Sequence, residues 1–127
     1  MAFLEAIRLI KKGDVIELRH ALDGGLDPNY SNDIGTTLLM LAAMEGNTAM
    51  GGVLIDMGAE PDRENNMHDC ALSLAARFAH PQFVRLLLER GASLDRFRDG
   101  GLLASFLGWV ETYCGMTSKE IGQLRRT

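Results

Sequence analysis

The sequence predicts an all-α fold, a solenoid of stacked antiparallel helix pairs joined by extended loops. Three observations carry that expectation. Punctuating residues recur at a step of 33 within a chain of 127 residues. Each unit between them holds two short apolar runs and one polar loop. Paired alanines recur at the same place in successive units, where small side chains let neighbouring helices approach closely.

The period is read from four series. Gly13 and Gly46 form the first, and Gly25, Gly58 and Gly91 the second. Asn29, Asp62 and Asp95 form the third, and Ala42-Ala43 with Ala75-Ala76 the fourth. A fixed period of this size is the mark of a repeat array, in which each unit leans on its neighbours for a core.

The elements follow in order. Phe3 onward opens a first unit whose outer face offers Glu5, Arg8, Lys11 and Lys12 to water, with Asp14 capping its second helix. In the second unit the run Leu38 to Ala43 stops at Gly46, Asn47 caps a helix over Thr48 to Met57, and Gly58 ends it. A polar loop from Glu60 to Asp69 leads to the third unit, Cys70 to Phe78, then Pro81 to Arg90, then Gly91. Pro81 falls in a first helical turn, where the missing N–H has no partner to lose. The outer layer is expected from leucine-rich second helices such as Val84 to Leu88. In the fourth unit Gly108-Trp109 replaces the alanine pair and Thr112 the glycine, and Thr117 to Glu120 reads as a capping box. Arg125 and Arg126 complement the dipole of that last helix.

Gly35-Thr36-Thr37-Leu38-Leu39-Met40-Leu41-Ala42-Ala43-Met44-Glu45-Gly46 resembles the ankyrin pattern G-x-T-P-L-H-x-A-A-x-x-G. Leu54 to Ala59 and Leu87 to Ala92 resemble its second-helix ending, L-L-x-x-G-A. The resemblance implies an ankyrin-repeat solenoid with extended finger loops. It is expected as one domain over 1–127, with repeats at 3–32, 33–65, 66–98 and 99–127, the first and last as caps. Leu38 and Ala71 replace the usual proline, Met40 and Ser73 the usual histidine, and His68 stands where Gly35 predicts glycine. These changes are expected to weaken the hydrogen-bonded turn at each helix start. Gly51-Gly52 inside a helix costs about 1 kcal/mol per glycine against alanine, and reads either as a soft helix or as a close backbone contact.

Composition bounds the function. With 46% hydrophobic and 24% charged residues the chain is ordinary for a folded protein, so disorder is not expected. A formal net charge of -4 and a pI near 5.3 disfavour nucleic acid and suit a partner with a basic surface. Cys70 and Cys114 lack the pairing and spacing of a disulfide framework or a zinc site, and read as reduced thiols. No apolar run is long enough to span a membrane, and the first residues show no signal peptide, so a cytoplasmic protein is expected.

No reaction chemistry is expected. In His68-Asp69-Cys70, consecutive residues at a helix start point different ways and no orienting group is evident. Cys70 holds the place of the ankyrin threonine. His20 and His80 are scattered from His68, His80 at a slot where ankyrin repeats carry a structural histidine, so no metal or cofactor is expected. The resemblance implies binding of another protein, by a monomer when free, through loop tips and the exposed side of the inner helices. By position these are Tyr30, Asp33, Ile34, Thr36, Met44, Glu45, Asn66, Met67, Asp69, Arg77, Phe78, Phe97, Val110 and Glu111. Arg63, Glu64, Arg96, Gly100 and Leu102 lie beside them. Ile34, Met44, Met67, Phe78, Phe97 and Val110 read as an apolar centre with a charged rim, with Phe78, Arg77 and Tyr30 as anchors. A stand-alone adaptor or inhibitor is the expected role. An immunity-type protein that neutralises a toxin enzyme is one alternative, and a constitutive subunit of a larger complex another.

Overall fold

The computed structural model describes residues 3–94 and 102–125. Among these the helices are α1 (Phe3–Lys12), α2 (Val15–Asp23), α3 (Leu38–Glu45), α4 (Thr48–Asp56), α5 (Ala71–Arg77), α6 (Pro81–Glu89), α7 (Leu102–Trp109) and α8 (Ser118–Arg125). A π-helical turn, Val110–Cys114, continues α7. No strand is present among the described residues, only an isolated bridge between Ser31 and Thr37.

Short polar side chains start the second helices. Asp14 accepts from the backbone N–H of Glu17 at 3.1 Å, and Asn47 from that of Met50 at 3.1 Å. Each satisfies a donor that the first helical turn leaves without an intrahelical partner. His80 holds the same slot in the third unit but makes no cap, because its ring is used elsewhere: Nε2 lies 2.9 Å from the carbonyl of Met44. That contact ties the third unit to the end of α3. The ring also closes over Gly46, where a Cβ would fall within 2.7 Å of its Cγ and Cε1. Gly46 additionally has φ +72°, a left-handed conformation that a side chain strains. Both demands are met only by glycine.

The helix pairs stack as two layers. α1, α3, α5 and α7 neighbour one another in turn, and so do α2, α4, α6 and α8. Ala6, Ala42, Ala43, Ala75 and Ala76 are fully buried in the first layer. Leu18, Leu22, Leu54, Phe83, Val84 and Leu87 fill the space beneath the second. The core is therefore continuous along the stack, which no single pair of such short helices could enclose.

The ankyrin-like turn at each inner helix survives its substitutions in an altered form. Thr37 accepts from Met40 N–H at 3.2 Å, and its own N–H reaches Met40 Sδ at 3.4 Å. In the next unit Ser73 N–H reaches Cys70 Sγ at 3.4 Å, and Cys70 N–H donates to Ser73 Oγ at 2.9 Å. The reciprocal cap is conserved in connectivity, with a weak sulfur acceptor in one arm of each. Two other slots lack their glycine. His68 (φ 63°) follows Gly35 (φ 81°), and Ala79 (φ 61°) follows Gly46, each in the same left-handed conformation.

The fourth unit departs from the pattern through the π turn. The expected stop at Thr112 is carried on to Gly115, φ 67°, which ends the combined helix. Thr117 then caps α8, accepting from Glu120 N–H at 3.2 Å, and Glu120 meets Arg85 of α6 at 3.2 Å. α7 and the π turn pack on α5, and α8 packs on α6. At the opposite end Glu5, Arg8, Lys11 and Lys12 are exposed as expected, but Leu4 and Ile16 are exposed beside them.

Candidate functional site: finger loops and inner-helix ends

Two finger loops precede α3 and α5, and one asparagine builds each. Asn32 Oδ1 accepts from the N–H groups of Ile34 (3.1 Å) and Thr36 (3.0 Å). Asn65 Oδ1 accepts from Met67 (2.9 Å) and Asp69 (3.0 Å). The fingers are also fastened together: Asn66 N–H donates to the Ile34 carbonyl at 2.8 Å, and Asn65 Nδ2 to Thr36 Oγ1 at 3.3 Å. At the base of the fingers Glu60 N–H donates to Asn29 Oδ1 at 2.7 Å, and Ser93 N–H to Asp62 Oδ1 at 2.8 Å. Asn29 and Asp62 thus repeat one cross-unit bond. These loops are rigid because their backbone donors are satisfied by side chains.

The fingertips project Asp33, Ile34, Asn66 and Met67 into solvent, Ile34 with 45% and Met67 with 69% of its surface exposed. Tyr30 is half-buried at the root of the first finger, between two shallow depressions. Ser31 to Ile34 line one depression, and Ala21 with Gly24 to Asp27 line the other. Arg63 and Glu64 are exposed on the second finger, Arg63 donating to Glu60 at 2.7 Å. That hydrogen bond and the adjacent carboxylate raise the pKa of the Arg63 guanidinium.

A second group lies at the other end of the inner helices. Met44 is half-buried and Glu45 exposed at the end of α3, while Arg77 and Phe78 (48% exposed) stand at the end of α5. Between the two groups, Ala71 to Ala76 are all buried. What spans the gap is polar. Asp69 Oδ1 meets Arg77 Nη2 at 2.7 Å and takes Ser73 Oγ at 3.4 Å, while the Arg77 guanidinium sits 5.7 Å from the Trp109 ring centroid. A carboxylate on one side and an aromatic face on the other fix that guanidinium in place.

Two expected surface positions are corrected. Val110 is 0% exposed: it stands in the core at the start of the π turn, and its carbonyl accepts from Gly115 and Met116 N–H. Thr36 is 8% exposed, its hydroxyl taken by Asn65, so it belongs to the finger framework. Glu111 is exposed. Phe97, Arg96 and Gly100 lie outside the described residues, as does Asp95. The apolar positions therefore form two patches separated by the length of the inner helices, not one continuous face. Sequence reading missed Asn32 and Asn65, although they stand 33 apart, and it missed Trp109, for which the repeat pattern held no signal.

The residues of His68-Asp69-Cys70 serve separate structural roles. His68 is exposed with Nδ1 3.8 Å from Glu64, Asp69 holds Arg77, and Cys70 is buried in the α5 cap. Cys114 Sγ points at the Ala76 carbonyl at 3.8 Å, and partial burial raises its thiol pKa. Among the described residues no three His, Cys, Asp or Glu side chains are grouped to hold a metal ion, and no helix is long and apolar enough to cross a membrane.

A search of curated proteins finds no significant match. The family model for ankyrin repeats, three copies, matches residues 5–98. That span covers the helix pairs α1 to α6 with their fingers, and the stacking and 33-residue step agree with it. The chain belongs to the ankyrin-repeat family.

Proposed function

We propose that this array is an adaptor or inhibitor that holds a partner protein on its concave side. Ankyrin repeats are in general protein–protein interaction modules, and typically non-enzymatic. The observation that carries the reading is Phe78. Its ring is about half exposed at the end of α5, beside an arginine already immobilised by Asp69 and Trp109. An aromatic side chain next to a preorganised guanidinium is the composition of an interface anchor, and little side-chain entropy remains to be lost on binding. Met44 and Glu45 extend the patch across α3, and Glu111 across the fourth unit. Beyond it α7 packs on α5 and α8 on α6.

The test is capture of partners from the native cell on immobilised protein, comparing wild type with the Phe78→Ala/Met44→Ala double variant. The variant is expected to lose the partner while keeping its helical circular dichroism. Equal capture by both proteins counts against this patch. An inhibitor of a basic enzyme shows association that weakens with salt, whereas an adaptor with an apolar contact is salt-tolerant. A well-behaved monomer in sedimentation argues against a constitutive subunit.

A further inference from the structure

The first unit departs from its successors on the side that each of them turns to the unit before it. Positions 33 apart in α2, α4 and α6 hold Glu17, Met50 and Phe83. Met50 and Phe83 are fully buried, and Phe83 packs back against Gly51 of α4, so this position faces the preceding unit. On the first helices Glu5 corresponds to Leu38 and Ala71, and Leu9 to Ala42 and Ala75, all four of them buried. In the first unit Glu5 and Glu17 are exposed and Leu9 is half-buried. With Arg8 and Lys12 they line one shallow depression on the end of the stack.

A face that needed only to be wetted could carry its charges in any order. Here the order is specific. Glu5, Arg8, Leu9 and Lys12 are spaced i, i+3, i+4 and i+7, which makes them a single stripe along α1. The stripe begins on an acid and ends on a base, with Glu17 of α2 beside it. Among the described residues Glu5, Arg8 and Glu17 make no ion pair within the chain. Lys12 reaches Asp14 only at 3.9 Å, with its side chain 75% exposed.

From this arrangement we infer that the end face docks a second copy of the chain, α1 antiparallel to α1 about a two-fold axis between Arg8 and Leu9. Charge complementarity selects the occupant. Two acids against two bases leave the face neutral as a whole, so it exerts no pull on a strongly basic or acidic partner, yet turned end over end it matches itself. Glu5 then stands opposite Lys12 of the second copy, and Lys12 opposite Glu5. Arg8 lays its aliphatic stem on Leu9 of the second copy and carries its guanidinium toward Glu17. Every contact occurs twice, as a two-fold interface requires, and the antiparallel helix dipoles favour the same alignment. Such a dimer replaces the free monomer expected from the sequence. It leaves Arg77 and Phe78, two units away, uncovered in both copies.

Sedimentation equilibrium of the full chain, from low micromolar to millimolar concentration, is the test. A monomer–dimer equilibrium is expected, weakening several-fold as salt screens its exposed pairs. Glu5→Lys and Lys12→Glu should each lower the dimer affinity by about tenfold or more, since each sets like charges opposite one another at two places. Mixed in equal amounts, the two variants should associate with each other close to the wild-type affinity, because both opposed pairs then regain opposite signs. Arg8→Glu mixed with Glu17→Arg repeats the exchange if circular dichroism shows that either first variant melts early. A wild type that stays monomeric at millimolar concentration overturns the inference, and so does a dimer indifferent to the reversals. Mixed variants that stay apart overturn the antiparallel register. Species that grow beyond the dimer with concentration overturn the two-fold pairing in favour of head-to-tail stacking. Partner capture through Phe78 and Met44 is scored on separate variants, so either reading can fail alone.

Discussion

Gly51 packs against the ring of Phe83: a Cβ built on it would come within 2.6 Å of Cζ and 2.7 Å of Cε2. The two residues belong to α4 and α6, so the missing side chain sets how closely those outer helices approach. Of the two readings that the glycine pair allows from sequence, the close contact holds for Gly51, and its neighbour is a helix of the same chain. Gly52 differs. A Cβ there would meet nothing nearer than Arg90 Nη2 at 4.0 Å.

The two glycines should therefore respond oppositely to alanine. Gly52→Ala is expected to stabilise by about 0.5–1 kcal/mol through helix propensity. Gly51→Ala is expected to destabilise by about 1–2 kcal/mol, since displacing Phe83 and Leu86 costs more than the propensity returns. Urea melts of both variants check this. Stabilisation by Gly51→Ala would mean that α6 moves aside freely.

The left-handed slots make a second pair. His68→Gly and Ala79→Gly relieve a strained φ and are each expected to stabilise by about 0.5–1 kcal/mol, the strain outweighing the chain entropy that glycine adds. Gly46→Ala at the equivalent of Ala79 should instead destabilise by more than about 2 kcal/mol, because it also drives a Cβ into His80. Thermal unfolding of the three variants under one buffer decides the order.

Asn65 holds more of the finger than its exposure suggests. Its side chain accepts from Met67 and Asp69 and donates to Thr36. Asn65→Ala is expected to cost about 2–3 kcal/mol, more than Asn32→Ala, whose side chain holds two backbone donors and makes no cross-finger bond. Hydrogen exchange at the Met67 and Asp69 amides should rise in the first variant alone.

Cys114 is the thiol whose pKa is raised by burial. A group raised in the folded state adds stability below its unfolded pKa and loses it as pH climbs through the folded value. Stability should consequently decline as pH rises above the ordinary thiol range, and Cys114→Ser should flatten that decline. A thiol reagent at mildly alkaline pH should modify Cys114 more slowly in the folded protein than in urea, because the thiolate is the reacting form.

Helix order and the caps at Asp14, Asn47 and Thr117 were legible in the sequence, because each depends on residues close along the chain or on an exact 33-residue recurrence. The loop positions of Ile34 and Met67 were legible for the same reason, and both side chains are exposed there. Position within a repeat could not predict where the pattern itself breaks. In the fourth unit, where the alanine pair is lost and a π turn follows α7, Val110 is buried and Trp109 meets Arg77. Thr36 was read as surface from its place in the repeat, but the hydroxyl is claimed by an asparagine of the next finger.

The sequence by itself determined the fold, since a period of glycines, small residues and caps states which segments pair and which face each turns inward. Only the tertiary structure decided how the surface is divided, with fingertips at one end of the inner helices and Phe78 at the other. The physical reason is that burial and ion pairing between units depend on side chains about thirty residues apart, whose meeting is set by how the layers pack and not by any local pattern.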